Sequence, residues 1–172
     1  VCPNLAIQTY RTQAFEAVVP DVVWKGGKPA AVSGAPFRVA QAFQVAVLTD
    51  FCNECGNCAT FCPTAGRPYR DKPRLYLRRA EFEAETDNAF MVFHHENTWS
   101  IQGRFGGTTH ELVLGDELVY SAPSFHARLD PVTLEVRKLA AAGKGADGER
   151  SSLRPCAEML VLVRGIRSSL AH

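Results

Sequence analysis

Residues 52–63 read Cys-Asn-Glu-Cys-Gly-Asn-Cys-Ala-Thr-Phe-Cys-Pro, a C-x2-C-x2-C-x3-C-P run that places four thiols within eleven residues. This is the cysteine spacing of bacterial-type iron–sulfur proteins. Thiols separated by two residues can wrap one turn of chain around a face of an iron–sulfur cube, leaving the intervening amides free to point at its sulfides. Gly56 suits such a loop, because glycine takes positive φ without steric cost. The last cysteine of such a run, the one before proline, ligates the other cluster in two-cluster proteins, and a remote Cys-Pro then completes the first. Val1-Cys2-Pro3-Asn4 supplies that remote pair. The expected ligands of one [4Fe–4S] cluster are therefore Cys2, Cys52, Cys55 and Cys58, with Cys62 directed toward a second. A second cluster would need three further cysteines upstream of Cys2. "VCPNLAI" and "FCPTAGR" look like the tails of two copies of one duplicated motif, the first cut through, so the chain reads as a fragment of a longer protein.

Other chemistries fit the cysteines less well. A zinc site takes two C-x2-C knuckles set well apart, whereas these cysteines form one dense run. Disulfides belong to small secreted domains, and no signal peptide opens the sequence. Cys156 stands alone in an apolar stretch and reads as a buried structural residue. The histidines (94, 95, 110, 126 and 172) show no ligand spacing with a carboxylate, and neighbours on a strand face opposite ways. Gly103-x-x-Gly106-Gly107-Thr-Thr resembles a phosphate loop only superficially, with no following lysine or helix. No G-x-G-x-x-G is present, which excludes a dinucleotide fold of that type within these residues.

Composition sets the frame for these groups. Hydrophobic residues make up 46% of the 172, enough for a core, and the net charge of +1 gives no pull toward nucleic acid or an anionic membrane. No apolar run approaches the roughly eighteen residues of a spanning helix, so no membrane insertion is expected. Reduced cysteines and a cluster both favour the cytoplasm. Lys25, Lys28, Arg67, Arg70, Lys72, Arg74, Arg78 and Arg79 form a basic zone near the cysteines. It reads as solvated surface, or as a zone that steers an acidic redox partner.

The elements that must position the cysteines follow from periodicity. Residues 5–19 hold a short strand after Cys2. Residues 20–36, with three prolines and three glycines, read as a loop or irregular insertion. Residues 43–48 alternate as a strand that feeds the cysteine loop. Residues 78–86 suit one or two helical turns. Strands are expected over 89–95 and 98–105, then 108–114 and 117–121, as an antiparallel meander. Residues 126–138 lean to one strand, 140–150 to a flexible linker, and 152–170 to the best helix. That helix has Ser152 as its cap and an apolar stripe of Leu160, Val163, Ile166 and Leu170.

The stretch "FCNECGNCATFCPTAGRPYRDKPRLYL", with "VCPN" about fifty residues upstream and "AEFEAETDNAFMVF" after it, resembles the selenate reductase YgfK-type subunit family over residues 1–5 and 43–93. That family is similar to the small subunit of glutamate synthase and to the N-terminal half of dihydropyrimidine dehydrogenase. The resemblance implies an electron-transfer function, with a flavin-containing domain or subunit and another redox centre as partners. FAD and NAD(P)H are implied only for the rest of the family protein. It carries over Cys2, Cys52, Cys55 and Cys58 as cluster ligands and Cys62 as the residue reaching for the second cluster. "Selenate" is the family's label, and nothing in these residues supports that substrate. The fold expected is α+β: a bacterial ferredoxin-like module over 1–75, truncated at its N-terminus, followed by a small antiparallel β meander and a C-terminal helix over 76–172. The alternative is a structural or protein-interaction domain whose cysteine loop is pinned by zinc or another non-redox metal.

Overall fold

The computed structural model describes residues 2–62 and 66–170. Val1 and Pro63 of the two Cys-Pro segments, and His172, lie outside them. Four strands open the chain: β1 (Ile7–Arg11), β2 (Phe15–Lys25), β3 (Lys28–Val39) and β4 (Phe43–Leu48). A 3-10 turn, Thr49–Phe51, leads into the cysteine run, which contains α1 (Asn57–Thr60). Next come α2 (Pro68–Asp71), β5 (Arg74–Leu75) and α3 (Arg79–Ala84). The following strands are β6 (Ala89–His95), β7 (Thr98–Phe105), β8 (Thr108–Leu114), β9 (Leu118–Ser121), β10 (Phe125–Leu129) and β11 (Val136–Ala141). β12 (Arg150–Ser152) precedes α4 (Arg154–Leu170).

Two sheets result. Nine strands pair in the order β1-β4-β5-β6-β7-β8-β9-β10-β11, and three in the order β12-β2-β3. Both neighbours of β5 run parallel to it, and the other ladders are antiparallel. α4 packs against β1, β2, β7 and β8 and so lies between the two sheets. Cys156, Ala157, Met159, Leu160, Leu162, Val163 and Gly165 are buried along it, more than the single stripe a surface helix would hide. All but Gly165 join one core with Val22, Ile101, Leu112, Tyr120 and Phe125. β6 is covered on both faces: Phe90 enters that core, while Ala89 and Met91 meet Tyr76 and Phe82 beneath α3.

The expected α+β ferredoxin-like module with a small meander beside it does not form. The chain is mostly β, and its main sheet has nine strands of mixed direction. The physical reason is the short strand β5. It pairs with β4 on one side and β6 on the other, so the segments flanking the cysteines continue into the meander as one sheet.

Local expectations shift for related reasons. The Pro/Gly-rich 20–36 stretch is a β hairpin. Gly26 and Gly27 supply its turn at φ 57° and 74°, and Pro20 falls where the ladder shifts register between Val19 and Asp21. The 126–138 stretch divides into β10 and β11. Between them the Asp130 carboxylate accepts the N–H groups of Val132 and Thr133 at 2.8 and 2.9 Å, which favours a turn over continued strand. Part of the expected linker over 140–150 pairs with β2 as the start of β12. The C-terminal helix forms with Ser152 Oγ accepting the Arg154 N–H at 3.2 Å.

Candidate cysteine site at one end of the sheet

β1 and β4 are antiparallel, with Ile7 opposite Val47. One step further out, the Leu48 N–H donates to the Ala6 carbonyl at 2.8 Å. Cys2 lies four residues before Ala6 and Cys52 four residues after Leu48. The ladder thus sends both cysteine segments out of the same end of the sheet, although fifty positions separate them in sequence.

On the β1 side, the chain turns back over Cys2. Leu5 adopts φ 55° and its N–H donates to the Cys2 carbonyl at 3.3 Å. A left-handed leucine that is 74% exposed is an unusual local choice. Its effect is to aim the backbone at sulfur: the Ala6 N–H reaches Cys2 Sγ at 3.3 Å. Burial pushes the Cys2 thiol up, but the amides of Ala6, Asn4 and Ile7 outweigh it and lower the thiol's pKa below its ordinary value. The thiolate is the form that ligates metal.

On the β4 side, the 3-10 turn is pinned before the first cysteine of the run. Thr49 Oγ1 donates to the Leu75 carbonyl at 2.9 Å. The Asp50 carboxylate accepts from the Leu77 N–H at 3.0 Å and from Arg78 Nε at 2.8 Å. Within the run, Glu54 and Gly56 take φ 52° and 79°, two left-handed turns that reverse the chain around Cys55. Gly56 then accepts the Ala59 N–H at 2.9 Å at the start of α1. Arg70 of α2 reaches Glu54 at 3.7 Å. A β-carbon at Gly66 would lie 3.9 Å from Cys62 Sγ, so the return of the chain passes close to that thiol. Cys55 is exposed, and Cys2, Cys52, Cys58 and Cys62 are half-buried. Among the described residues, no three His, Cys, Asp or Glu side chains converge closely enough to hold a metal ion.

Four of the eight basic-zone residues, Arg70, Arg74, Arg78 and Arg79, pair with carboxylates among the described residues. Arg74 makes a two-pronged pair with Glu85 at 2.8 and 3.2 Å, Arg78 meets Asp50 and Glu81, and Arg79 meets Glu83. Lys25 and Lys28 flank the hairpin turn of the other sheet. Thr49 and Asp50, through which the strand feeds the cysteine loop, also anchor it by side-chain hydrogen bonds to the end of β5 and to the segment after it. Four exposed apolar residues, Leu5, Phe51, Phe61 and Leu77, stand beside Cys2, Cys52, Cys62 and the Asp50 anchor, with no periodicity to mark them in the sequence.

Cys156 is buried in α4, and burial pushes its thiol up to about 12. His94 stacks on Trp99 with centroids 4.3 Å apart, and His126 lies 3.0 Å from Ser121 Oγ. Gly106 and Gly107 form the β7–β8 hairpin turn at φ 56° and 76°, while Gly103 leaves room for the Phe90 and Phe105 rings. No helix among the described residues is long and apolar enough to cross a membrane.

Fifty residues, 29% of the chain, are 44% identical to "Putative oxidoreductase YgfK" of Escherichia coli strain K12, and the same holds for the protein of that name from Escherichia coli O157:H7. The match spans 5% of the length of these curated relatives. This is a partial relation to an oxidoreductase. No family model matches the chain, and no solved structure matches it significantly.

Proposed function

We propose that this chain is an electron-transfer module that carries a [4Fe–4S] cluster within a larger oxidoreductase of the YgfK selenate-reductase type. Cys2, Cys52, Cys55 and Cys58 would hold the cluster, and Cys62 would serve a second one. When bound, the cluster supplies one-electron exchange; the chain's own residues do the positioning. The observation that carries the reading is the β1–β4 register, which delivers Cys2 and the Cys52–Cys58 loop to one end of the sheet. Three observations support it. The donor set is all thiol, the Cys2 sulfur already receives backbone N–H groups of the kind a bound thiolate needs, and the partial relatives bear an oxidoreductase name. The partners proposed are a flavin-bearing domain or subunit and another redox centre. The exposed Leu5, Phe51, Phe61 and Leu77 give such a partner apolar contact area. A reducing compartment, the cytoplasm, suits the thiols.

The test is anaerobic reconstitution with iron and sulfide. Wild-type protein is expected to gain a broad visible absorbance that dithionite bleaches, with a paramagnetic signal in the reduced form. Cys55→Ser is expected to gain neither colour nor stoichiometric iron. Undiminished iron and colour in that variant would overturn the ligand assignment.

A further inference from the structure

At the opposite end of β1 from Cys2, an open cavity of about 460 Å³ lies between the β1–β2 connection and the last turns of α4. Arg11, Arg164 and Arg167 all line it, and no carboxylate does. Nine of the chain's fourteen arginines meet a carboxylate among the described residues, and none of these three is one of them. Arg11 is held over the Phe43 ring, 5.8 Å from its centroid, and Arg164 donates to the Pro131 carbonyl at 2.8 Å. Both contacts fix the side chains without cancelling their charge. Desolvation, and after it the nearby Arg167, lower the Arg164 pKa, so the two charges repel without a counter-ion between them.

The bland explanation is that cations at a helix C-terminus complement its dipole. That end carries only about half an elementary charge. It can offset part of one arginine and leaves more than two positive charges facing the cavity. We propose that this cavity binds a small oxyanion of charge two or more, a phosphate ester or a di- or tricarboxylate. Guanidinium forks match both phosphate and carboxylate in two-pronged geometry. Phe15 and Val161 add an apolar wall for the organic part of such a ligand. Gly165 opens the floor: a side chain there would fill the approach of α4 to Tyr10 and Arg11. The site lies away from the cysteine end and stands whether or not a cluster binds there.

Pyrophosphate and citrate are titrated into the full chain by calorimetry, with chloride balancing ionic strength throughout. Saturable binding of at least one is expected. It should weaken at least about tenfold in Arg11→Gln/Arg167→Gln, which removes two charge-assisted contacts, and be unchanged in Arg79→Gln on α3. Preference for pyrophosphate identifies a phosphate ligand and preference for citrate a carboxylate. The Arg11→Lys/Arg167→Lys pair, which keeps the charge but loses the fork, should bind with intermediate affinity and serves if the glutamine pair fails to fold. No saturable binding of either probe, or equal affinity in the wild type and both double variants, overturns the proposal.

Discussion

The backbone N–H of Leu48 donates to the carbonyl oxygen of Ala6 at 2.8 Å, and this bond closes the β1–β4 ladder at the end from which both cysteine segments leave. It brings the segment that carries Cys2 to the same end of the sheet as the cysteine loop through backbone hydrogen bonding, although fifty positions separate them in sequence. The Ala6 amide then does a second task, reaching the Cys2 sulfur at 3.3 Å.

Cys2 and Cys156 should therefore behave in opposite ways. In reconstituted protein, Cys2→Ala is expected to lose labile iron and visible absorbance while keeping its far-ultraviolet dichroism. Cys156→Ala should keep the iron and lose roughly 1 kcal/mol of stability, as a buried side chain trimmed in the core does. Full iron content in Cys2→Ala would show that another residue completes the ligand set.

Gly165 tests how closely α4 approaches β1. A β-carbon there would collide with the Tyr10 ring and stand 3.1 Å from the Arg11 carbonyl. Replacing glycine by alanine in a helix gains about 1 kcal/mol of intrinsic propensity. Overpacking costs about 1–3 kcal/mol, and with backbone as well as ring in the way the higher end should prevail. Gly165→Ala is expected to lower the urea midpoint, and its cost should be smaller when measured in a Tyr10→Ala background, where the ring it strikes is gone. An alanine variant more stable than wild type would mean the helix is free to shift.

His110 provides a pH handle. Its Nδ1 lies 2.5 Å from the Tyr120 hydroxyl and its Nε2 3.1 Å from Thr108 Oγ1, which in turn donates to the Phe105 carbonyl at 2.7 Å. The consistent assignment is a neutral ring: Tyr120 donates to Nδ1, and Nε2–H donates to Thr108. Burial lowers the His110 pKa below its ordinary 6.5, so the unfolded chain takes up the proton first. Its contribution to stability is complete above about pH 6.5 and is lost progressively as pH falls below that value. Urea midpoints measured from pH 7.5 to 5.5 should drop less steeply in His110→Gln than in wild type. Parallel slopes would remove His110 from the account.

Much of this molecule was legible along the chain. The cysteine spacing, the strand before it, the meander from residue 89 and the capped C-terminal helix each depend on residues within a few positions of one another. Local chemistry such as glycine conformation, alternation and capping decides them. That the Cys2 segment and the loop leave the same end of the sheet follows instead from the β1–β4 pairing.

What tertiary structure alone decided was which strands share a sheet. Nothing local in Arg74–Leu75 announces a two-residue strand that joins β4 to β6, yet those few parallel hydrogen bonds turn an expected small module and its appendage into a nine-stranded sheet. The same holds for Arg11, Arg164 and Arg167. Residues 11 and 164 come together only because α4 settles against β1 at Gly165, and no periodicity within either segment records that contact. Long-range pairing depends on which surfaces are left to bury once local elements exist, so it is settled by the packing of the whole chain around α4.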